Sequence, residues 1–148
     1  MRSMSRILAV AGFTLLAACS DATGAQQRTL YQRLGGYDAI AAVTDDFIGR
    51  LLGDPTFARF FPGLSTDSKK HLRQLVVEQL CQAAGGPCIY TGRTMKASHA
   101  GLAITEGEWN AAAGHLVASL NKFHVGAKEK DEVVAFVVTL KPDIVEKP

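Results

Sequence analysis

The chain has almost no excess of charge. Its 16 lysines and arginines face 14 aspartates and glutamates, a balance that implies no cationic surface for nucleic acid. Cysteine is scarce, with three residues, and no two of them form a C-x-x-C pair for zinc. No H-E-x-x-H pair is present to mark a metalloprotease helix. No apolar run reaches the length of a bilayer span, and no internal repeat points to a solenoid.

What is present begins with a targeting pattern. Arg2 and Arg6 precede an apolar run from Ile7 to Ala18, and Leu16-Ala17-Ala18-Cys19 places small residues before a cysteine. Basic start, apolar run and box stand in the order of a secretory signal. Leu-Ala-Ala-Cys resembles the lipobox of bacterial lipoproteins, in which the cysteine becomes the lipidated first residue. This reading makes residues 1–18 a signal peptide, residues 19–28 a tether with Cys19 as the lipidation site, and residues 29–148 one folded domain. Cleavage leaves 130 residues, enough for a single core. It also removes two basic residues and no acidic one, so the mature chain carries equal numbers of each. The expected location is the cell envelope, as a periplasmic or outer-membrane lipoprotein. Cys81 and Cys88 are then an even pair in an oxidising compartment, and the Gly85-Gly86-Pro87 turn between them can double back far enough for a disulfide.

The domain reads as helices throughout. Gly35-Gly36 breaks a short first turn ending at Leu34, after which Ile40, Val43, Phe47 and Leu51 keep one helical face. Asp54-Pro55 is an N-cap followed by a first-turn proline, and Phe60-Phe61-Pro62-Gly63 closes that segment. Ser65 or Thr66 caps the next helix, with Leu72, Leu75, Val76, Leu80 and Ala83 on its apolar face. Thr105 and Glu108 form a capping box, with Ile104 and Trp109 as its staple. A stripe from Trp109 through Ala112, Ala113, Leu116, Val117 and Leu120 to Phe123 follows. The last segment has Val133, Phe136, Val137 and Leu140 before Pro142. Its β-branched residues suit a strand, but their helical spacing and the lack of a partner strand predict a helix.

Four histidines remain to be placed. His99 ends the stretch Tyr90-Thr91-Gly92-Arg93-Thr94-Met95-Lys96-Ala97-Ser98-His99, four residues after Met95 and three before Leu102. Residues at these spacings share a helix face, so His99 stands among apolar neighbours, where a neutral imidazole can ligate a metal. Arg93 and Lys96 lie on an adjacent face, suited to carboxylates. An axial nitrogen, an apolar wall and a basic edge are what a haem needs. With no C-x-x-C-H, covalent c-type attachment is not expected. The plainer reading of His99 is a hydrogen-bonded core histidine. His115 reads as a structural histidine beside the apolar stripe, and His124 stands at a helix end, where a cation suits the dipole. Tyr31 and Tyr90 read as packing groups with one hydroxyl contact each.

The ordered set Leu30-Tyr31-x-x-Leu34-Gly35-Gly36, Asp46-Phe47, Phe60-Phe61, Gly85-Gly86-Pro87, Tyr90-Thr91-Gly92, Met95-Lys96-x-x-His99 and Ala113-Gly114-His115-Leu116 resembles the group I truncated haemoglobins from about Leu30 to Leu140. The resemblance implies an all-α, two-over-two globin fold with haem b between the long helix before Gly85 and the His99 segment. It implies His99 as the proximal iron ligand and Phe61 as the corner phenylalanine packed on the haem. The distal wall would come from Phe47, Ile48, Leu72, Leu75, Val76 and Leu80, and Arg93, Met95, Lys96 and Leu102 would border the cofactor on the proximal side. Two departures stand out. Ile48 occupies the position where familiar members carry tyrosine, and Leu72, Leu75 and Val76 stand where they often carry glutamine or histidine. The expected distal wall thus lacks a donor, with Gln79 and His71 the nearest polar groups.

The expected function is binding of oxygen, nitric oxide or carbon monoxide at a His-ligated iron, in oxygen transport or nitric oxide detoxification. Nitric oxide dioxygenase or peroxidase-like activity would be compatible with it. A haem carrier or a helical interaction module anchored in the envelope is the alternative. The residues name no redox partner.

Overall fold

A computed structural model describes residues 28–147. Cys19, the leader and most of the tether lie outside the described residues. Among them there are six α-helices, one 3-10 turn and no named strand: α1 (Leu30–Leu34), α2 (Gly36–Gly53), the turn Pro55–Phe60, α3 (Thr66–Ala83), α4 (Met95–His99), α5 (Glu106–Lys122) and α6 (Ala127–Ile144). No helix of this set is long and apolar enough to cross a membrane.

Local chemistry sets most of the boundaries. Thr29 and Gln32 form a capping box for α1 that the sequence reading missed, and Thr105 and Glu108 form the expected one for α5. Gly35 and Gly36 both adopt positive φ, at 97° and 81°, which lets α2 start at once at a new angle. Asp54 accepts a hydrogen bond from the Thr56 amide and caps a segment that winds as 3-10 helix. Of the two candidate caps for α3, the Ser65 side chain accepts from the Ser68 amide. The last helix does not stop before Pro142 but runs through it to Ile144. Proline costs an internal helix one hydrogen bond and a clash with the carbonyl four residues back. Here that carbonyl belongs to Val138, on an exposed stretch, and only the final turn is affected.

The core lies where α2 meets α3 and α5. Ile40, Ala41, Val77 and Cys81 form one buried cluster, and Val43, Leu116, Leu120 and Val133 form a second. Cys81 and Cys88 are disulfide-bonded, with Cα atoms 5.8 Å apart. Gly86 lies inside this turn, where an added Cβ would stand 2.5 Å from the Tyr31 ring and 2.7 Å from the Cys81 sulfur. The turn therefore needs glycine for room.

Charged side chains tie the helices together. Arg33 of α1 pairs with Glu129 and Glu132 of α6. Asp46 of α2 accepts from Lys122 and Ser119 of α5 and from Arg50 one turn on. The Lys122 ammonium, then Arg50 and Ser119, hold the Asp46 carboxyl well below the usual carboxylate range. Asp54 is lowered chiefly by His115, whose Nε2 lies 2.8 Å from Asp54 Oδ2. A carboxylate whose pKa is lower folded than unfolded contributes stability that is complete above its unfolded value, about 4, and is lost as the pH falls through the folded value. Thermal melts should hold from neutrality to about pH 5 and then decline with acid. Asp46→Asn should melt lower at pH 7 and lose less on acidification. An acid limb of equal steepness in that variant would contradict the assignment.

Candidate functional site

A cavity of about 780 Å³ opens between the α2–α3 side of the molecule and the segment from Tyr90 to Leu102. Phe47, Ile48 and Leu51 form its α2 wall, and Phe57, Phe60 and Phe61 close the corner beyond it. From α3 come paired positions one turn apart: His71 with Leu72, Leu75 with Val76, and Gln79 with Leu80. A stripe two residues wide arises because one helical turn exposes both neighbours to a broad cavity. The α3 wall is therefore not wholly apolar. His71 is exposed and Gln79 half-buried on the turn after Leu75 and Val76.

The remaining walls were read in the sequence only as core. Trp109, Ala112, Ala113 and Leu116 of α5 and Phe136, Val137 and Leu140 of α6 also border the cavity. Ala112 and Ala113 are the signal that was available: two small residues inside an otherwise bulky stripe make room rather than fill it. A second apolar cavity of about 470 Å³ shares Leu80, Leu116 and Phe136 with the first.

The other side of the cavity is built from a pinned loop and a single helical turn. Glu78 accepts from the amide and hydroxyl of Thr91, at 3.2 and 2.8 Å, and Gln82 accepts from the Tyr90 amide at 2.6 Å. The chain after the disulfide is thus fastened to α3. Gln74 first, then Thr91, holds the Glu78 carboxyl below its ordinary range. The Tyr90 hydroxyl donates to the Arg93 carbonyl at 2.7 Å, folding its ring over Gly92, where a Cβ would meet ring atoms at 2.3–2.7 Å. Burial raises the Tyr90 pKa and keeps the phenol a donor. Thr94 then caps α4, accepting from the Ala97 amide at 3.2 Å.

His99 closes α4. Its Nδ1 lies 2.9 Å from the Met95 carbonyl oxygen one turn back, and its ring borders the cavity. A carbonyl only accepts, so Nδ1 carries the proton. In the neutral ring this tautomer keeps the lone pair on Nε2, which is what a metal-ligating imidazole requires. Met95 and Leu102 border the cavity beside it, as does the exposed Arg93. Lys96 does not. It is exposed and absent from the cavity wall, because Met95 and His99 already define the inward face of α4 and Lys96 lies on the outward one. Phe61 at the corner and Leu72, Leu75, Val76 and Leu80 of α3 all border the cavity. His115 stands apart from it, bonded to Asp54 and packed edge-on against Phe57. His124 is exposed at φ 54° after the end of α5. The Tyr31 hydroxyl accepts from the Tyr37 amide at 3.1 Å.

These residues fit a haem. The cavity lies within the range of cofactor pockets, its walls are mainly apolar, and His99 offers it an imidazole whose Nδ1 is already engaged by the Met95 carbonyl. Among the described residues no group of three histidines, cysteines, aspartates or glutamates could hold a metal without a macrocycle. The bacterial-like globin family model matches residues 29–146. The chain is a truncated haemoglobin of the bacterial-like globin family. It is 33% identical over 120 residues to the group 1 truncated hemoglobin GlbN of Mycolicibacterium paratuberculosis, covering 81% of this chain and 86% of that one. Against GlbN of Nostoc sp. the identity is 34% over 119 residues, covering 80% and 98%. The crystal structure of the Fe(III) truncated hemoglobin from Tetrahymena pyriformis superposes with a TM-score of 0.72 at 26% identity, covering 80% of this chain and 98% of that one. The 2/2 hemoglobin from Synechococcus sp. PCC 7002, solved with covalently attached heme, gives 0.68 at 30% identity, with the same coverage. The truncated haemoglobin fold of this chain is the expected two-over-two globin, and haem is its cofactor.

Proposed function

We propose that this truncated haemoglobin binds diatomic gases at an iron held by His99, in a domain tethered to the cell envelope through Cys19. The observation that carries the reading is His99 itself: its Nδ1 lies within hydrogen-bond distance of the Met95 carbonyl, and the residue borders a mainly apolar cavity. When bound, haem supplies an iron with one coordination position for the protein and one for a small gas.

The chain's own residues do the rest. The Met95 carbonyl keeps one tautomer and orients the imidazole. Phe47, Phe61, Leu75 and Val76 exclude water from the cavity, and Arg93 at its edge is placed to meet a carboxylate. Ile48, Leu72, Leu75 and Val76 offer no donor to a ligand, which weakens discrimination in favour of polar ligands. A tether at the envelope favours reaction with nitric oxide there over bulk oxygen storage.

The visible spectrum of purified protein, with and without carbon monoxide, tests gas binding. A Soret band that shifts with the gas is expected. Retention of haem against apomyoglobin is also expected, whereas rapid transfer would instead support a haem carrier. Cys19→Ala should release the protein from membranes or stall its processing, since several acyl chains at about 0.8 kcal/mol per buried CH₂ anchor stably. Wild-type protein recovered from the soluble cytoplasm with Met1 attached would refute the tether.

A further inference from the structure

The helix that carries His99 is five residues long, and an isolated turn of this length is not stable on its own. His99 is its last residue, so the direction of the ring depends on what holds the chain immediately afterwards. Leu102 donates to the His99 carbonyl at 3.1 Å, and Ala103 follows at φ 52°, a left-handed conformation that is costly for alanine.

Two opposite charges grip this loop. Glu146, just past α6, accepts from the Gly101 amide at 2.8 Å and the Ala103 amide at 2.6 Å. Arg59, from the 3-10 turn, donates to the Leu102 carbonyl at 2.8 Å and the Ala103 carbonyl at 3.2 Å. Arg59 is itself fixed, bidentate on Glu108 at 2.8 Å and stacked 4.0 Å from the Phe60 ring. The Glu146 and Lys147 amides also donate to the Ile104 carbonyl, at 2.9 and 3.1 Å. Donors of the loop thus go to an anion and acceptors to a cation, and both grips meet at the strained Ala103.

We propose that Arg59 and Glu146 are positioning residues for His99, clamping residues 101–103 from two sides and so setting the direction in which the imidazole enters the cavity. The proposal rests on His99 being the iron ligand. Neither residue borders the cavity; both act through the backbone behind the ring.

The test uses ferrous holoprotein and the iron–histidine stretching band in its resonance Raman spectrum. Glu146→Ala and Arg59→Ala should shift and broaden the band and speed haem transfer to apomyoglobin about tenfold, the lower end for loss of an outer partner at a metal site. Glu146→Gln, which keeps an acceptor oxygen, and Arg59→Lys, which keeps the charge, should fall between these variants and wild type. Lys141→Ala removes the α6 ion pair with Glu106, 2.6 Å long, without touching residues 101–103. It should leave the band in place even where the melting temperature falls. An unmoved band in both alanine variants overturns the proposal, whatever their stability. If the alanine variants do not fold, a wild-type band in Glu146→Gln and Arg59→Lys overturns it equally. Absence of the band from the wild-type protein would instead overturn His99 as the ligand, and the clamp's role with it.

Discussion

His99→Ala should purify without haem, or with haem that a modest excess of apomyoglobin removes. The cavity would remain apolar and would still favour a macrocycle over water. Yet no second imidazole is set among its walls as His99 is: its Nδ1 is occupied by the Met95 carbonyl 2.9 Å away, leaving Nε2 free, whereas His71 stands exposed on α3. Removing the ring also removes the Nδ1 hydrogen bond to the Met95 carbonyl, so a side-chain tie within α4 goes with the ligand. His99→Gly with added imidazole separates the two. Return of the Soret band with free imidazole would show that the ligand was lost and the pocket kept. A normal Soret band with unchanged haem retention in His99→Ala would refute the assignment outright.

Oxygen release should be fast in the wild-type holoprotein and much slower in Ile48→Tyr. Ile48 is 7% exposed and lies on the cavity wall beside Phe47. A hydroxyl introduced there stands in low dielectric, where a hydrogen bond to a charged or polarised partner is worth roughly 1.5–3 kcal/mol, about ten- to a hundredfold in affinity. Carbon monoxide, a poorer acceptor, should respond less. His71 and Gln79 also border the cavity, so their variants are the controls. His71→Leu and Gln79→Leu should each change the oxygen dissociation rate by no more than about twofold, the range of substitutions that break no specific contact. Slow release in wild type that accelerates on losing either residue would place a donor where an apolar distal wall is expected.

What could be read in the sequence is what the chain encodes within a helical turn or two. The capping box of Thr105 and Glu108, the cap at Asp54 and the face shared by Met95 and His99 are short-range patterns, and the structure shows each of them. Thr29 and Gln32 form an equally local box that caps a helix of only five residues. Lys96 shares α4 with His99 but is exposed and off the cavity wall, since direction around the helix decides which side chain meets the cavity. The last helix runs through Pro142, since a proline in the final turn disturbs little beyond that turn. The grip of Arg59 and Glu146 was beyond reach of pattern. Its partners lie more than forty positions apart in the chain, and the backbone groups they bind leave no mark in the side-chain sequence.

The way the chain enters the domain has a mechanical consequence. Thr29 packs at Gly85, the Tyr31 amide donates to the Ala84 carbonyl at 2.8 Å, and Arg33 spans to Glu129 and Glu132. A pull applied at Arg28 would therefore be borne in shear by α1 against the end of α3, where the Cys81–Cys88 bond closes the turn. The load would pass from α1 into α6 and the disulfide turn, the two parts of the fold that lead on to the His99 segment.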